Sequence, residues 1–563
     1  MAEKSYPVLS RRQIEGLIAD GRRIFIANQY VFKADPWLPY HPGGDKAILH
    51  MVGRDATDEV TALHSSETRE QMNRYRIGRI EGRWTNFIPP VQGGKFRPLL
   101  DGDGVEDEVE EGDVISTDVS SSPSSREPSP VFDDSAEAVI RKRRGVDASV
   151  PKSSSTSSVS SVEPDDDGMS YLDTVTREKT TLDLEKYPSL DFDTQDAIVA
   201  KYRELGERIK AQDLYKCNYW AYAIEVTRYS ILFSLTFLFL HWGWYVASSV
   251  CLGAFWHQLV FTAHDAGHMG ITHDFHTDTV IGIIVADFFG GLSIGWWKRN
   301  HNVHHIVTNA PEHDPDIEHM PFMAVSHRFF TSMRSTFYDR VMEYDAVAKF
   351  MLRIQPYTYY ILLLFGRLNL YRLSWDFLLA RRGPKKGPAW WHGWLEITGQ
   401  LCFLTWYFYG VLYKSIPNNS DRIIFFLISH MVPMPVHAQI CLSHFAMSTS
   451  DMGPHESFPQ KMLRTTMDIE CPQWLDFFHG GLQFQVIHHL FPRIPRHNLR
   501  RTQKLVQDFC NDVGIPYALY GFVDGNKQVV GTLAEVSRQA AILAKCQKVI
   551  ISEGDDPIHG HHH

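Results

Sequence analysis

The sequence has few cysteines and no surplus of positive charge. Its seven cysteines are scattered without paired spacing, which argues against a disulfide framework and predicts reduced thiols that face the cytosol or a membrane. The formal net charge of -10 gives no support for nucleic-acid binding, and the short basic run at residues 141–144 is predicted to be a solvated patch. The polar start predicts no cleavable signal peptide, so we expect a cytosolic N-terminus.

The mean hydropathy of -0.23 is typical of a soluble protein, but it averages two different populations of residues. Residues 91 to about 170 are rich in Ser, Pro, Asp and Glu and contain few aromatic residues. Such a segment cannot bury enough apolar surface to fold. We therefore predict a disordered linker over residues 91–175, with an end-to-end spread on the order of 50 Å if about 80 residues behave as a flexible coil.

Three groups of metal-binding residues lie beside long apolar stretches. Within each group the members are mostly three or four positions apart, so a helix would place them on one face. The members are His264, His268, His301, His304, His305, Gln485, His488 and His489. These ligands are too many for one ion, and they would suffice for two irons at a membrane surface.

The near absence of oxygen and sulfur ligands narrows the choice of metal. Magnesium and calcium prefer oxygen, and structural zinc needs only four ligands and usually includes thiolate, whereas imidazole suits iron, copper, nickel and zinc. A site of this kind that holds redox-active iron can activate dioxygen, which side chains alone cannot do. The ligand set therefore predicts an oxidative membrane enzyme.

Four apolar stretches are long enough to cross a membrane as two helical hairpins. A fifth stretch, residues 279–297, is apolar enough to cross. However, a single crossing there would place the first two histidine groups on opposite faces, so it is predicted to be peripheral or re-entrant. The basic run at residues 381–386 then falls on the cytosolic side. The four predicted crossings are residues 229–248, 250–268, 397–413 and 423–442.

The three groups resemble the histidine boxes of membrane fatty-acyl and sphingolipid desaturases. In the branch called front-end desaturases, a glutamine such as Gln485 replaces the first histidine of the third box. The motif Asp314-Pro315-Asp316 and residues 490–499 are also similar to that family. The resemblance implies a di-iron centre held by the box residues and by His444, since the family places an additional iron-binding histidine between its second and third boxes.

Residues 5–82 resemble a cytochrome b5 domain, which front-end desaturases carry at their N-terminus. The resemblance rests on His41-Pro-Gly-Gly44, on residues 53–57, on His64 and on residues 75–78. It implies a haem b with His41 and His64 as axial ligands, and a haem with both axial positions filled transfers electrons without binding dioxygen. The implied fold is a small α+β haem-binding domain, joined by the linker to an all-α integral membrane di-iron domain at residues 185–545 with four transmembrane helices.

The resemblance implies dioxygen-dependent desaturation of a lipid chain, with electrons from NADH through a cytochrome b5 reductase and the fused haem domain. It also implies an endoplasmic reticulum membrane, with both termini, the haem domain and the histidine boxes on the cytosolic side. Residues 40–45 and 261–269 and the acidic insert are most similar to fungal sphingolipid Δ8-desaturases, which act on the sphingoid base of ceramide or glucosylceramide precursors. A Δ6- or Δ5-type acyl-lipid desaturase, a di-iron lipid hydroxylase and a membrane-tethered electron carrier remain as alternatives.

Overall fold

The computed structural model describes residues 5–87 and 171–554, with side chains up to residue 547. The predicted linker falls outside the described residues as far as residue 170. The chain divides into two compact units, one made mainly of residues before 170 and the other mainly of residues from 171 onward. Each unit is described by itself.

The N-terminal domain contains a three-stranded antiparallel sheet, in which β2 pairs with both β1 and β3. The two-residue turn between β1 and β2 has positive φ at both Asn28 and Gln29, the geometry that matches the twist of a hairpin. The predicted α+β fold is confirmed. The elements are α1 (Arg11–Ala19), β1 (Ile24–Ala27), β2 (Tyr30–Lys33), α2 (Asp45–Leu49), α3 (Thr57–Leu63), α4 (Ser66–Met72) and β3 (Arg76–Arg79).

A capping box begins α1. The Ser10 hydroxyl accepts a hydrogen bond from the Gln13 amide, and the Gln13 side chain accepts one from the Ser10 amide, which satisfies two otherwise unpaired donors at the helix start. The apolar face of α1 then lies against the sheet. The core of the domain is formed by Ile14, Ile18, Ile24, Ile26, Val31, Val52, Ile80, Trp84 and Phe87.

Among the described residues of the second unit, the regular elements are helices and one short parallel strand pair, β4 (Asp468–Glu470) with β5 (Leu519–Gly521). The prediction of an all-α domain is wrong at that pair. The helices are α5 (Tyr171–Lys186), α6 (Phe192–Ala211), α7 (Tyr219–His241), α8 (Tyr245–Gly267), α9 (Phe275–Ile283), α10 (Ile294–Val307), α11 (Ala346–Leu364), α12 (Gly366–Leu379), α13 (His392–Phe403), α14 (Asn419–Met431), α15 (Met434–Leu442), α16 (Phe458–Thr465), α17 (Asp476–His479), α18 (Gln485–Leu490), α19 (Arg496–Val513) and α20 (Phe522–Gly554).

Ordered structure begins earlier than the sequence suggests. Residues 171–175, the predicted end of the linker, lie in α5, which begins before the predicted start of the membrane domain at residue 185. The physical reason is that Val175 is buried and Leu172 packs against a core cluster. These two apolar side chains are too sparse to stand out in an otherwise polar stretch.

Among the described residues, three helical segments are long and apolar enough to cross a membrane. They are Tyr219–His241, Tyr245–Gly267 and Asn419–Leu442, the last of which comprises α14 and α15. The predicted crossing at 397–413 lies in α13 and a π-helix that continues it, Leu404–Ser415. Residues 279–297, predicted to be peripheral or re-entrant, lie in the helix pair Phe275–Phe289 and Ile294–Val307. The two helices of this pair are bent by 116° relative to each other, and the pair would be a fourth span if it were counted as one.

The first hairpin turns earlier than predicted. The predicted spans 229–248 and 250–268 place the turn near residue 249, whereas the helices end and begin at residues 241 and 245. Gly243 lies in the turn with φ of +75°, a conformation that glycine adopts without steric cost. Apolar residues continue through the turn, so hydropathy alone could not locate it.

We expect Gly53→Ala to destabilise the N-terminal domain more than Gly21→Ala. Both glycines have positive φ, +76° and +81°, but an added Cβ at Gly53 would lie 2.1 Å from the Phe87 ring, whereas at Gly21 it meets no described atom within 4 Å. Each change costs about 1–2 kcal/mol for the backbone, and Gly53→Ala costs roughly 1–3 kcal/mol more for overpacking. Amide hydrogen exchange of β1 and β2 in the full chain measures both. Equal losses of protection in Gly53→Ala and Gly21→Ala would contradict the predicted overpacking at Gly53.

Candidate metal centre

The histidines of the three groups lie at or near helix ends. His264 is in the last turn of α8 and His268 caps it, whereas the second group lies within α10 and the third within α18. His444 follows directly after the cap of α15. Because helical spacing of three or four residues places side chains on one face, each helix can present its histidines to the same place.

Four of these histidines, one pair from α8 and one each from α10 and α18, form the first cluster. Their members are His264, His268, His301 and His488, and one ring nitrogen of each lies within 4.8 Å of those of the others. The ring centroids of His264 and His488 are 4.4 Å apart. Residues far apart in the sequence therefore converge.

A second cluster contains His304, His444 and His489, again with ring nitrogens within 4.8 Å of one another. The ring of His444 lies 4.5 Å from that of His304 and 4.9 Å from that of His489. His305 lies between the clusters, with its ring 4.8 Å from that of His268 and 4.3 Å from that of His489. All eight histidines thus form one continuous site with two centres.

The unpaired nitrogens in this site fit a metal. Among the described residues, Nε2 of His268, His488 and His489 and Nδ1 of His305 are buried without a hydrogen-bond partner. Burying a polar group without a partner costs roughly 2–7 kcal/mol, and each such group requires an explanation, such as an ion. Iron is one of the metals that imidazole ligands suit.

Burial also sets the protonation of these rings. It lowers the pKa of His268, His444, His488 and His489 well below the usual value for histidine. The rings are therefore neutral at physiological pH, and each offers a lone pair. A neutral imidazole is the form that binds a metal.

Two carboxylates of the Asp314-Pro315-Asp316 motif orient the second box. Asp314 accepts a hydrogen bond from Nδ1 of His304 at 2.9 Å and from the backbone amide of Asn309 at 2.7 Å. This bond fixes the ring of His304 and makes Nε2 the nitrogen that could hold a metal, an arrangement common around metal-bound histidines. The motif was recognised in the sequence as similar to the family, but its role was not.

Asp316 is the second carboxylate, and its Oδ2 lies 3.6 Å from Nδ1 of His301. The side-chain amide of Asn300 donates a hydrogen bond to Oδ1 of Asp316 at 2.5 Å. Although burial raises the pKa of Asp316, the adjacent His304 and His301 lower it, and the net pKa lies below its usual range. Asp316 is therefore an ionised acceptor beside the second box.

Asn309 links His444 to the second box. Its amide nitrogen donates to the backbone carbonyls of His444 at 2.8 Å and Thr465 at 3.3 Å. Asn309 has φ of +57°, a region that asparagine tolerates better than most residues. No pattern in the sequence identified this residue.

Gln485 is buried at the first position of α18. Its spacing from His488 and His489 places it on the same helix face. The helix start is fixed by the amide of Val486, which donates to Asp468 at 2.9 Å. Whether Gln485 binds a metal stays a prediction.

In the N-terminal domain, the two predicted haem ligands face each other. The ring centroids of His41 and His64 are 6.0 Å apart, which leaves room for one metal ion between the two imidazoles. Nδ1 of His41 lies 2.7 Å from the carbonyl oxygen of Gly44, so an iron would bind through Nε2. The pair therefore fits a haem with two axial histidines.

Comparisons with known proteins match both domains. A family model described as Fatty acid desaturase matches residues 240–521, and one described as Cytochrome b5-like Heme/Steroid binding domain matches residues 10–81. The predicted family resemblance is confirmed for both domains.

Curated relatives match nearly the whole chain. It is 58% identical over 558 residues to a protein of Emericella nidulans named Delta 8-(E)-sphingolipid desaturase, covering 99% of this chain and 98% of the relative. It is 46% identical to one of the same name from Kluyveromyces lactis, covering 98% and 96%. An Acyl-lipid (9-3)-desaturase of Borago officinalis is 37% identical over 53% of this chain and 65% of its own length.

These matches cover the histidine clusters and the N-terminal histidine pair alike. The chain belongs to the fatty acid desaturase family of membrane oxidoreductases, and it carries an N-terminal cytochrome b5-like domain.

Proposed function

We propose that the chain introduces a Δ8 double bond of E geometry into the sphingoid base of ceramide or of glucosylceramide precursors. The convergence of eight histidines with unpaired buried nitrogens carries the assignment of an oxidative site. The substrate assignment is supported by relatives named Delta 8-(E)-sphingolipid desaturase, which match over almost the entire chain.

We further propose that the site holds two iron ions. One would be bound by the cluster of His264, His268, His301 and His488, and the other by His304, His444 and His489. His305 lies within reach of both, and Gln485 shares the helix face of the third box. Iron bound there would supply the dioxygen-dependent removal of two hydrogens from neighbouring methylenes of the lipid chain.

The protein's own contribution is to exclude water and to hold the rings still. His268, His304, His305, His444, His488 and His489 are each at most 5% exposed. Asp314 holds the ring of His304 by a direct hydrogen bond. A site that removes hydrogens from two adjacent carbons must keep its reacting groups aligned within about 1 Å, and fixed rings provide that alignment.

We propose that His41 and His64 bind haem b in the N-terminal domain. The 6.0 Å between their rings supports this assignment, and so does the family match over residues 10–81. The domain would accept electrons from an NADH-dependent cytochrome b5 reductase and deliver them to the histidine site.

The proposed topology has four crossings in the endoplasmic reticulum membrane, with both termini, the haem domain and the histidines on the cytosolic side. The crossings are α7, α8, α13 with its π-helix, and α14 with α15. Two observations support it: His264 and His444 lie at the ends of the second and fourth crossings, and exposed aromatic residues mark the opposite ends. These are Trp242, Trp244, Tyr409 and Tyr413, residue types that anchor helices at a membrane interface.

The function is tested by expressing the chain in a host that makes saturated sphingoid bases and by localising double bonds in its lipids with mass spectrometry. We expect a new Δ8 bond in the sphingoid base and its complete loss in His488→Ala, which removes a ring of the first cluster. A new bond confined to fatty acids would contradict the substrate assignment and favour the function that the Borago officinalis relative's name states. An added oxygen would make the chain a hydroxylase.

The assignment of His444 generates a second prediction. His444→Ala leaves two histidines in the second cluster, so we expect non-haem iron to fall from about two ions to about one per chain, since a site with too few ligands loses its metal. His437→Ala, on α15 but outside both clusters, is the matched control and should retain both ions. Retention of two ions by His444→Ala would contradict its role as a ligand.

A further inference from the structure

A buried arginine joins the chain after the third box to the helix that carries the first box. Arg496 is the first residue of α19, and its side chain is 5% exposed. The guanidinium group forms ion pairs with Asp265 of α8 and Glu225 of α7. One residue thus connects three helices, and the two partners precede it by 231 and 271 positions.

The contacts of Arg496 with α8 are concentrated at the end of that helix. Its Nη1 donates to the carbonyl oxygen of Phe261 at 3.0 Å and to Asp265, and its Nη2 donates to the hydroxyl of Thr262 at 3.2 Å. Asp265 lies between His264 and His268 in the sequence. Arg496 therefore holds the last turn of α8, which carries both histidines of the first box.

Further donors complete the network around the two carboxylates. Tyr222 donates to Asp265. Tyr229 donates to Glu225 at 2.8 Å, and Nε2 of His497 lies 2.8 Å from the other oxygen of Glu225. Buried charges that are paired and hydrogen-bonded in this way hold a defined geometry, because breaking one contact leaves a charge without compensation.

Asp265 lies on the helix turn that carries His264 and His268, so its contact with Arg496 affects the geometry of the metal site. Successive residues of a helix are about 100° apart around its axis, so His264 and His268 lie about 40° apart, and Asp265 lies about 60° from His268 and about 100° from His264. A rotation of about 10° would move a ring at the helix surface, about 5–6 Å from the axis, by about 1 Å. Metal ligands tolerate distance errors of only about 0.2 Å, so the rotation of this turn must be fixed.

We propose that Arg496 is a positioning residue for the histidine site. Through Asp265 it sets the rotation of the last turn of α8, and so it aims His264 and His268 at His301 and His488. This inference rests on the proposed iron centre. It gives a role to the segment after the third box that resembles the desaturase family: this segment orients the metal-binding histidines and does not itself bind the metal.

The test compares Arg496→Lys with Arg500→Lys in the full iron- and haem-loaded chain. Lysine keeps the charge but cannot reach two carboxylates with a planar fork. Arg500 is the matched control, since it lies one turn further along α19 and pairs with Asp476 of α17 at 2.8 Å. Its hydrogen-bond partners, Asp476 and Cys471, lie outside α8, α10 and α18. We expect Arg496→Lys to lower the affinity for non-haem iron about ten- to a hundred-fold, the usual effect of losing such support, and Arg500→Lys to leave it unchanged.

Iron affinity is measured by chelator competition, and the geometry of the bound iron by the Mössbauer spectrum. A merely structural role would lower the melting temperature of Arg496→Lys but leave the chelator midpoint and the Mössbauer doublets of the folded protein at their wild-type values, and that result would overturn the proposal. An equal loss of iron in Arg500→Lys would also overturn it. Wild-type protein without non-haem iron would overturn the iron centre and this inference together.

Tyr222→Phe provides a second variant in case Arg496→Lys does not fold. It removes only the hydroxyl that donates to Asp265 and retains the ion pair. We expect a smaller shift of the chelator midpoint in the same direction, about two- to ten-fold in affinity, on the scale of one hydrogen bond. In the double variant Arg496→Lys/Asp265→Asn, the loss should be smaller than the sum of the two single losses, because both changes weaken the same ion pair. An unshifted midpoint in Tyr222→Phe, or additive losses, would overturn the proposal.

Discussion

The collection of eight imidazoles in one buried site is the constraint on which the helical domain depends. Burial lowers the pKa of several of these rings, His268 and His488 among them, and leaves several nitrogens without a hydrogen-bond partner among the described residues. In the absence of a metal, such a site is costly, since unpaired buried polar groups oppose folding. The same features make it a strong site for ions that bind nitrogen. Binding of the proposed metal would therefore link stability to function.

The surrounding structure serves to bring four separate segments to one place. The ends of α8 and α15 bring His264 and His444 to the rings of α18 and α10. Carboxylates then limit the motion of these rings and segments, as Asp314 does for His304 and Asp265 does for the end of α8. In the N-terminal domain the histidines are placed by loops beside a small sheet, and these loops position His41 and His64 opposite each other.

Much of the site could be predicted from the sequence, because the rules that govern it are local. Helical spacing identified the box histidines, and the family resemblance added His444, which the structure places in the second cluster. Long-range contacts were not predictable in this way. Nothing near Arg496 in the sequence indicates Glu225 or Asp265, and nothing near Asn309 indicates the carbonyl of His444. Boundaries within continuous apolar stretches, such as the turn at Gly243, were also missed, since hydropathy does not change there.

If two metal ions occupy the histidine site, a cryo-electron microscopy map of the iron-loaded chain in lipid should show both of them. We expect two metal densities, one among His264, His268, His301 and His488 and the other among His304, His444 and His489. A single density, or densities away from these rings, would contradict it.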